Sequence, residues 1–352
     1  MRSFVYSQFP SRVVFGVGSF DRLAEEVTRL GATRALVLSL PDQRAFAEDA
    51  MRRLGKAAAG VFAEAVMHVP IETARAARAE ARRLGADCAV AIGGGSTTGL
   101  GKAIALDSGL PIIAVPTTYA GSEMTSIYGL TEGGLKKTGR DPRVLPKTVI
   151  YDPALTVGLP AKVSGPSGMN AIAHCVEALY AEDANPITSL MAAEGIRALA
   201  RALPIVVREP GNLEARGDAL YGAWLAGSAL GAVAMGLHHK LCHTLGGSFN
   251  LPHAEVHTVI LPHAIAYNRD AAPEAMKAIA TALGAADAAG GLYDLAQRIG
   301  APLALKDIGM PADGLERAAR LATENPYYNP RPVDYAGVKQ LLEDAFSGKR
   351  PV

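Results

Sequence analysis

Over the first 160 residues short β-branched runs alternate with amphipathic stretches, and from about residue 165 that alternation stops. No other feature of the chain limits its fold as much. Parallel strands cannot be joined by a tight turn, so strand–helix–strand alternation builds a parallel sheet through crossover units. RALVLS (34–39), DCAVAIGG (87–94), PIIAVPTT (111–118) and KTVIYDP (147–153) read as strands. RAFAEDAMRRL (44–54) and ETARAARAEARRL (72–84) have the composition of the helices between them. The later segments SGMNAIAHCVEALYA, TSLMAAEGIRALARAL and YGAWLAGSALGAVAMGLHHKLCHTLG read as long helices, and strand signals are nearly absent there. The 352 residues favour two domains over one core. The expectation is an α/β dinucleotide-binding domain with a parallel sheet over 1–160 and an all-helical domain over 161–352, divided near Pro153 and Pro160.

Charge and cysteine content narrow the function. Lysine and arginine number 35 against 34 acids, so no basic footprint for nucleic acid or an anionic membrane exists. Cys88, Cys175 and Cys242 form no disulfide framework, which suits a reducing compartment. MRSFVYSQFPSRVVFG lacks the apolar stretch of a signal peptide, and no run reaches the roughly 20 apolar residues of a membrane span. A cytoplasmic protein is expected, with neither a nucleic-acid nor a membrane partner.

AIGGGSTTGLGKAIA (91–105) is a buried strand running through three glycines into a helix, with Ser96 as the expected cap. Glycines permit close backbone approach, and a helix N-terminus offers N–H groups to phosphate. This places a pyrophosphate at Gly94, Gly95 and Ser96, with Lys102 about two turns further on. A plain tight turn explains the same glycines equally well. Thr117 and Thr118, after the next strand, bring hydroxyls to the same sheet edge, and Ser122 follows in PTTYAGSE. Ser39 ends the 34–39 strand where NAD-specific sites often hold an acid for the ribose, so both NADH and NADPH are admissible cofactors.

Seven of eight histidines fall between His174 and His263. Asn170 and His174 are four apart, as are His239 and His243, so each pair shares a helix face; His253 arrives from a following loop. Such spacing suits a metal cage between helices, yet Asn170 stands where a divalent ion would want a carboxylate.

Taken in order, FGVGSFDRL, GGGSTTGLGKAIA, PTTYAGSE, VIYDPALTVGLP, GMNAIAHCVEALYA, the 238–255 histidines and NPYYNPRPV resemble the iron-containing alcohol dehydrogenase superfamily, which shares the dehydroquinate synthase-like fold, and within it the maleylacetate reductase branch. The resemblance runs end to end. It implies an active site between two domains and hydride exchange with a nicotinamide. It also puts the superfamily's metal-ligand positions on Asn170, His174, His239 and His253, the first of which is normally Asp. A neutral amide removes a charge partner for a divalent cation. Gly99, where the glycine motif commonly carries Asp, and the shortened PTTYAGSE depart in the same direction. The expected chemistry therefore requires no metal.

Maleylacetate is a ketone conjugated to a C=C bond and flanked by two carboxylates. Hydride delivered β to the ketone creates an enolate, and a protonated histidine can hold that charge and return a proton. His243 and His253 are the leading donors, with His174 and His239 as further catalytic candidates. Asn170, Arg140, Lys240, Tyr328 and Arg331 are candidates for the dicarboxylate; Lys136, Lys137, Arg143 and Tyr327 lie in the same two segments. The 131–147 charge run reads equally as a solvated hairpin. Glu177 could orient His174, and Cys242 is either a reactive thiol beside His243 or a buried one. His238, His257 and His263 read as structural, and a homodimer is expected by default. Three rival readings stay open: a metal-dependent alcohol dehydrogenase, a lyase resembling dehydroquinate synthase, and a non-catalytic dinucleotide binder.

Overall fold

The computed structural model describes Phe4, Tyr6 and residues 11–133 and 135–351. The chain forms two compact units that meet in sequence between Gly158 and Leu159, and Phe4 and Tyr6 belong with the second unit rather than with the first.

In the first unit the strands are β1 (Arg12–Phe15), β2 (Ala35–Leu38), β3 (Ala58–Phe62), β4 (Cys88–Gly93), β5 (Ile112–Pro116), β6 (Ile127–Glu132), β7 (Leu135–Arg140) and β8 (Thr148–Tyr151). Six of them form one parallel sheet in the order β1-β8-β5-β4-β2-β3, while β6 and β7 pair as an antiparallel hairpin. The helices are α1 (Leu23–Arg29), α2 (Arg44–Leu54), α3 (Ile71–Arg83) and α4 (Gly95–Ser108). β2, β4 and β5 are buried on both faces, as the middle of a helix-covered sheet must be. Val37, Val90, Ile92, Ile113 and Val115 pack against α1 and α2, and the alternate residues Leu36, Leu38, Ala89, Ala91 and Ile112 pack against α3 and α4.

The second unit contains α5 (Ala161–Ala178), α6 (Pro186–Arg208), α7 (Leu213–Ala232), α8 (Leu237–Phe249), α9 (His253–Asn268), α10 (Pro273–Leu283), α11 (Ala288–Arg298), α12 (Leu315–Thr323) and α13 (Tyr335–Ser347). The fully buried Arg216 on α7 donates to Ser164 Oγ at 2.8 Å and to the Leu159 carbonyl at 3.0 Å, fixing the entry to α5. No single helix among the described residues is long and apolar enough to cross a membrane.

All four expected strands and both expected helices of the first unit form. Two elements of the sheet, β1 and β3, were not legible: AAGVF is rich in the strand-poor residues Ala and Gly, and RVVF, though made of strand formers, is only four residues long. The single long helix expected over YGAWLAGSALGAVAMGLHHKLCHTLG is instead two, α7 and α8, bent by 97°. The break is built by carboxylates: Asp183 accepts from Ala234 N at 2.9 Å, and Glu177 accepts from Gly236 N and His238 N, each at 2.8 Å. Glu177 thereby caps α8 from another helix. A Cβ on Gly236 would stand 3.0 Å from both Glu177 Oε1 and the Tyr328 carbonyl, so glycine is what lets the capped turn close.

Candidate active site

One constellation lies at the sheet's carboxyl edge. Strand order reverses between β2 and β4, with β3 outside β2 on one side and β4, β5 and β8 on the other. Crossovers leaving toward opposite faces at such a point open a crevice for a ligand. Ser39 follows β2, Gly93 to Gly95 end β4 and open α4, and Thr117 and Thr118 follow β5. Gly93 has φ +144°, and a Cβ there would stand 2.5 Å from Thr97 Oγ1 and 3.0 Å from Gln43 Oε1. Ser39 Oγ, Gln43 Oε1, Thr97 Oγ1 and Thr117 Oγ1 are all buried with no hydrogen-bond partner among the described residues. Stranding four polar atoms around one glycine turn is costly unless a polar ligand meets them. These atoms and the uncapped N-terminus of α4 fit the pyrophosphate and ribose of a dinucleotide.

Two expectations at this edge are corrected. Ser96 does not cap α4: Gly94 holds the cap position, and Ser96 sits within the first turn. Lys102 does not face the phosphate position. It is fully buried, and its Nζ donates to the carbonyls of Ser122 and Ile127, both at 2.7 Å, and to Thr125 Oγ1 at 3.0 Å. Burial pulls its pKa down to about 7, against the attraction of Glu123. Ser122 is thus held by its carbonyl, and by its hydroxyl at 3.2 Å, in the grip of Lys102. Gly99 has a local cause as well as the family one: a Cβ there would lie 2.8 Å from Val69 Cγ2, whose own backbone is at φ +46°. Gln43 and Thr97 were missed because lone polar residues beside a strand end carry no pattern of their own.

The second constellation is the histidine cluster. Asn170, His174 and Glu177 recur along one face of α5, His238, His239, Cys242 and His243 lie on α8, and His253 and His257 on α9. His174 Nδ1 lies 2.9 Å from His239 Nε2, with the rings stacked at 5.0 Å. His257 packs edge-on to His239 at 4.9 Å and to His253 at 4.4 Å, and His243 packs against His239 at 6.1 Å. His174 and His239 are 4% exposed, whereas His243 and His253 lie open to solvent. The two candidate donors therefore form an accessible rim over a buried pair.

Glu177 is fully buried and orients His239, not His174: its Oε2 lies 2.6 Å from His239 Nδ1. Burial alone would raise its pKa, but the His239 hydrogen bond, nearby imidazoles and the backbone N–H of Gly236 bring it down to about 2. His238 and His257 share a hydrogen bond at 2.8 Å, and burial holds both well on the neutral side, His238 at about 3. Cys242 is 1% exposed, 3.6 Å from His238 Nε2, and burial drives its thiol pKa well up, so it is not an activated nucleophile.

At the superfamily's metal-ligand positions, His239 Nε2 lies 2.9 Å from His174 Nδ1, and Asn170 offers a neutral, buried Oδ1 without a partner among the described residues where a carboxylate would give a divalent ion a charge partner. The only group of three or more His, Cys, Asp or Glu donors whose ligand atoms all lie within 4.8 Å of one another among the described residues is His238, Cys242 and His257.

Of the substrate candidates, Asn170 lies with the buried histidines. Lys240 and Tyr327 stand beside His243: the Tyr327 hydroxyl is 3.3 Å from His243 Nδ1, and Lys240 Nζ is 5.7 Å from the Tyr327 ring. Tyr328 is 45% exposed. Arg331 is not brought to the histidines; it is laid on the Tyr267 ring at 4.0 Å, donates to the Tyr267 carbonyl at 3.3 Å, and lines a separate cavity of about 250 Å³ with His263 and Lys349. Arg140 ends the exposed hairpin strand β7 in the other unit. On that segment Lys137 pairs with Glu132 at 2.9 Å and Arg143 with Asp141 at 2.7 Å, as a solvated hairpin would; the side chain of Lys136 lies outside the described residues.

A switch-point cradle for a dinucleotide and a helical unit carrying clustered histidines define a nicotinamide-dependent oxidoreductase, and the chain belongs to the iron-containing alcohol dehydrogenase family. Residues 10–153 match the family's iron-containing alcohol dehydrogenase model and residues 165–346 its C-terminal model. It is 62% identical to a maleylacetate reductase of Burkholderia cepacia over 351 residues, with all of both chains covered. Among solved structures it is similar to a putative alcohol dehydrogenase of Ralstonia eutropha (63% identity, TM-score 0.99) and to maleylacetate reductase of a Rhizobium species (56% identity, TM-score 0.96), again with all of both chains covered.

Proposed function

We propose that this protein is a maleylacetate reductase, using NADH or NADPH to reduce the C=C bond of maleylacetate, or of its chlorinated relatives, to the 3-oxoadipate skeleton. The observation that carries this reading is the 62% identity, over the full length of both chains, to a protein of that name. In the cradle, Gly94 and Gly95 let the backbone approach the pyrophosphate, the first turn of α4 gives N–H donors, and Ser39, Gln43, Thr97 and Thr117 supply buried polar atoms that have no partner among the described residues. Bound there, the nicotinamide supplies a hydride to the carbon β to the ketone. As that bond forms, the C=C π pair moves toward the ketone oxygen, and His243 or His253, as imidazolium, donates to the growing enolate. Collapse of the enolate takes up one proton at carbon, so one hydride and one proton account for the reduction. Lys240 and the hydroxyl of Tyr327 beside His243 give one substrate carboxylate a cation and a donor. Asn170, with an amide where the family has a carboxylate, leaves the histidines to do this without a required metal. The test is loss of NADH absorbance with fresh maleylacetate before and after exhaustive EDTA treatment. Turnover that survives chelation supports the reading; turnover lost and restored by zinc or iron returns the protein to the metal-dependent alcohol dehydrogenases.

A further inference from the structure

The geometry points to a second binding site in the helical unit: the cavity of about 250 Å³ lined by α9, α13 and the residues either side of α13 takes a small carboxylic acid with an apolar body and, at its far end, a hydroxyl or carbonyl. None of its lining residues belongs to the cluster around His239, so the site stands whether or not the proposed activity does.

Its chemistry changes with depth. The mouth is basic, with Arg331, Lys349 and Arg350 exposed and Asp344 the one acid among the lining residues. Two of these cations are already matched. Lys349 Nζ lies 3.2 Å from Asp344 Oδ1, and Arg350 forks onto Asp294 through two contacts of 2.8 Å. Arg331 makes no ion pair among the described residues. Asp334, which feels its charge, accepts instead from the Tyr267 hydroxyl at 3.2 Å and from Gly337 N at 2.8 Å. The guanidinium is nonetheless held in place, 4.0 Å over the Tyr267 ring and donating to the Tyr267 carbonyl at 3.3 Å. One fixed, unmatched planar cation, with Lys349 keeping spare N–H donors at the same mouth, suits a single carboxylate.

The floor is apolar but for one atom. Leu341, Pro351 and the body of Tyr267 are buried, and so is His263, at 4% exposure, whose Nε2 has no hydrogen-bond partner among the described residues. Such a nitrogen costs stability unless a polar group meets it. Burial holds this imidazole neutral, with its pKa at about 4, so its natural partner is a hydroxyl or carbonyl rather than a second carboxylate. Apolar cavities of about 150 Å³ accept benzene. A cavity of about 250 Å³ therefore has room for a ring with both substituents.

The probes are 4-hydroxybenzoate, benzoate and acetate, titrated calorimetrically into the full-length protein at neutral pH. The ring signals of ¹⁵N-labelled histidine locate the binding, with that of His263 identified by its loss in His263→Leu. 4-Hydroxybenzoate should shift the His263 signal saturably. It should bind about tenfold or more tighter than acetate, which lacks the ring, and severalfold tighter than benzoate, which lacks the hydroxyl. Arg331→Gln should weaken it about tenfold, and His263→Leu should bind 4-hydroxybenzoate and benzoate alike. Equal binding of the three acids, wild-type affinity in Arg331→Gln, or a shift at other histidines with none at His263 overturns the assignment. If His263→Leu does not fold, the three-acid series and Arg331→Gln, a change to an exposed side chain, decide.

Discussion

Thr118 stands over Gly94 so closely that a Cβ on the glycine would lie 3.1 Å from both its Oγ1 and its Cγ2. The contact joins the ends of two neighbouring strands, β4 and β5, at the point where a pyrophosphate would rest. Gly94→Ala is therefore expected to raise the KM for NADH at least severalfold and to lower stability by about 1–3 kcal/mol through overpacking. Gly95→Ala is the control for stability, since its nearest neighbour would be Ala120 Cβ at 3.8 Å. Steady-state kinetics and thermal melting check this; equal melting temperatures of the two variants would refute the crowding at Gly94.

Lys102→Met should destabilise the first unit without touching a ligand. The ammonium is the donor for the carbonyls of Ser122 and Ile127, and removing it strands buried acceptors at about 1–3 kcal/mol each. Denaturant titration should show a lowered midpoint with an unchanged slope. A wild-type midpoint would mean that the Ser122 to Ile127 loop does not depend on Lys102.

Asn170→Asp should restore the missing carboxylate beside His174 and His239. The expected outcome is stoichiometric zinc or iron after purification and dialysis, measured by elemental analysis, in a variant compared with wild type under identical conditions. The side chain is 4% exposed and its Oδ1 lacks a partner among the described residues, so an uncompensated carboxylate there should also cost stability until metal is added. Equal metal content in the two proteins would show that the amide is not what sets metal affinity.

His263 gives a pH signature far from the proposed chemistry. Burial lowers its pKa from 6.5 to about 4, partly opposed by Asp344 and aided by Lys349. The unfolded chain takes up this proton near 6.5 and the folded chain only near 4, so the contribution is complete above 6.5 and is lost as pH falls through that window. Relative to wild type, His263→Gln should lose about 3 kcal/mol less stability between neutral pH and pH ~4. Urea melts at the two pH values measure the difference, and parallel curves would contradict the buried, neutral assignment.

Much of this molecule could be read from residue order. The parallel sheet was legible because strands buried on both faces appear as apolar runs such as CAVAIG, and the helical unit because α6 and its neighbours are long and Ala/Leu-rich. The glycine turn and the histidine pairs were legible because local geometry sets their spacing: four residues is one helical turn, and a triple glycine after a strand needs no tertiary partner to be a turn. What tertiary structure alone decided were the partners. Lys102 near the glycine loop reads as an added charge or pairing group, Arg331 as a substrate clamp and Glu177 as a support for His174; the fold gives them instead Ser122 and Ile127, the Tyr267 ring, and His239 with the N-terminus of α8. A long side chain can satisfy itself with any complementary group within its reach, and for these three that group lies 20 to 64 residues away. Sequence periodicity fixes which face of an element a residue occupies, but only packing fixes what that face meets.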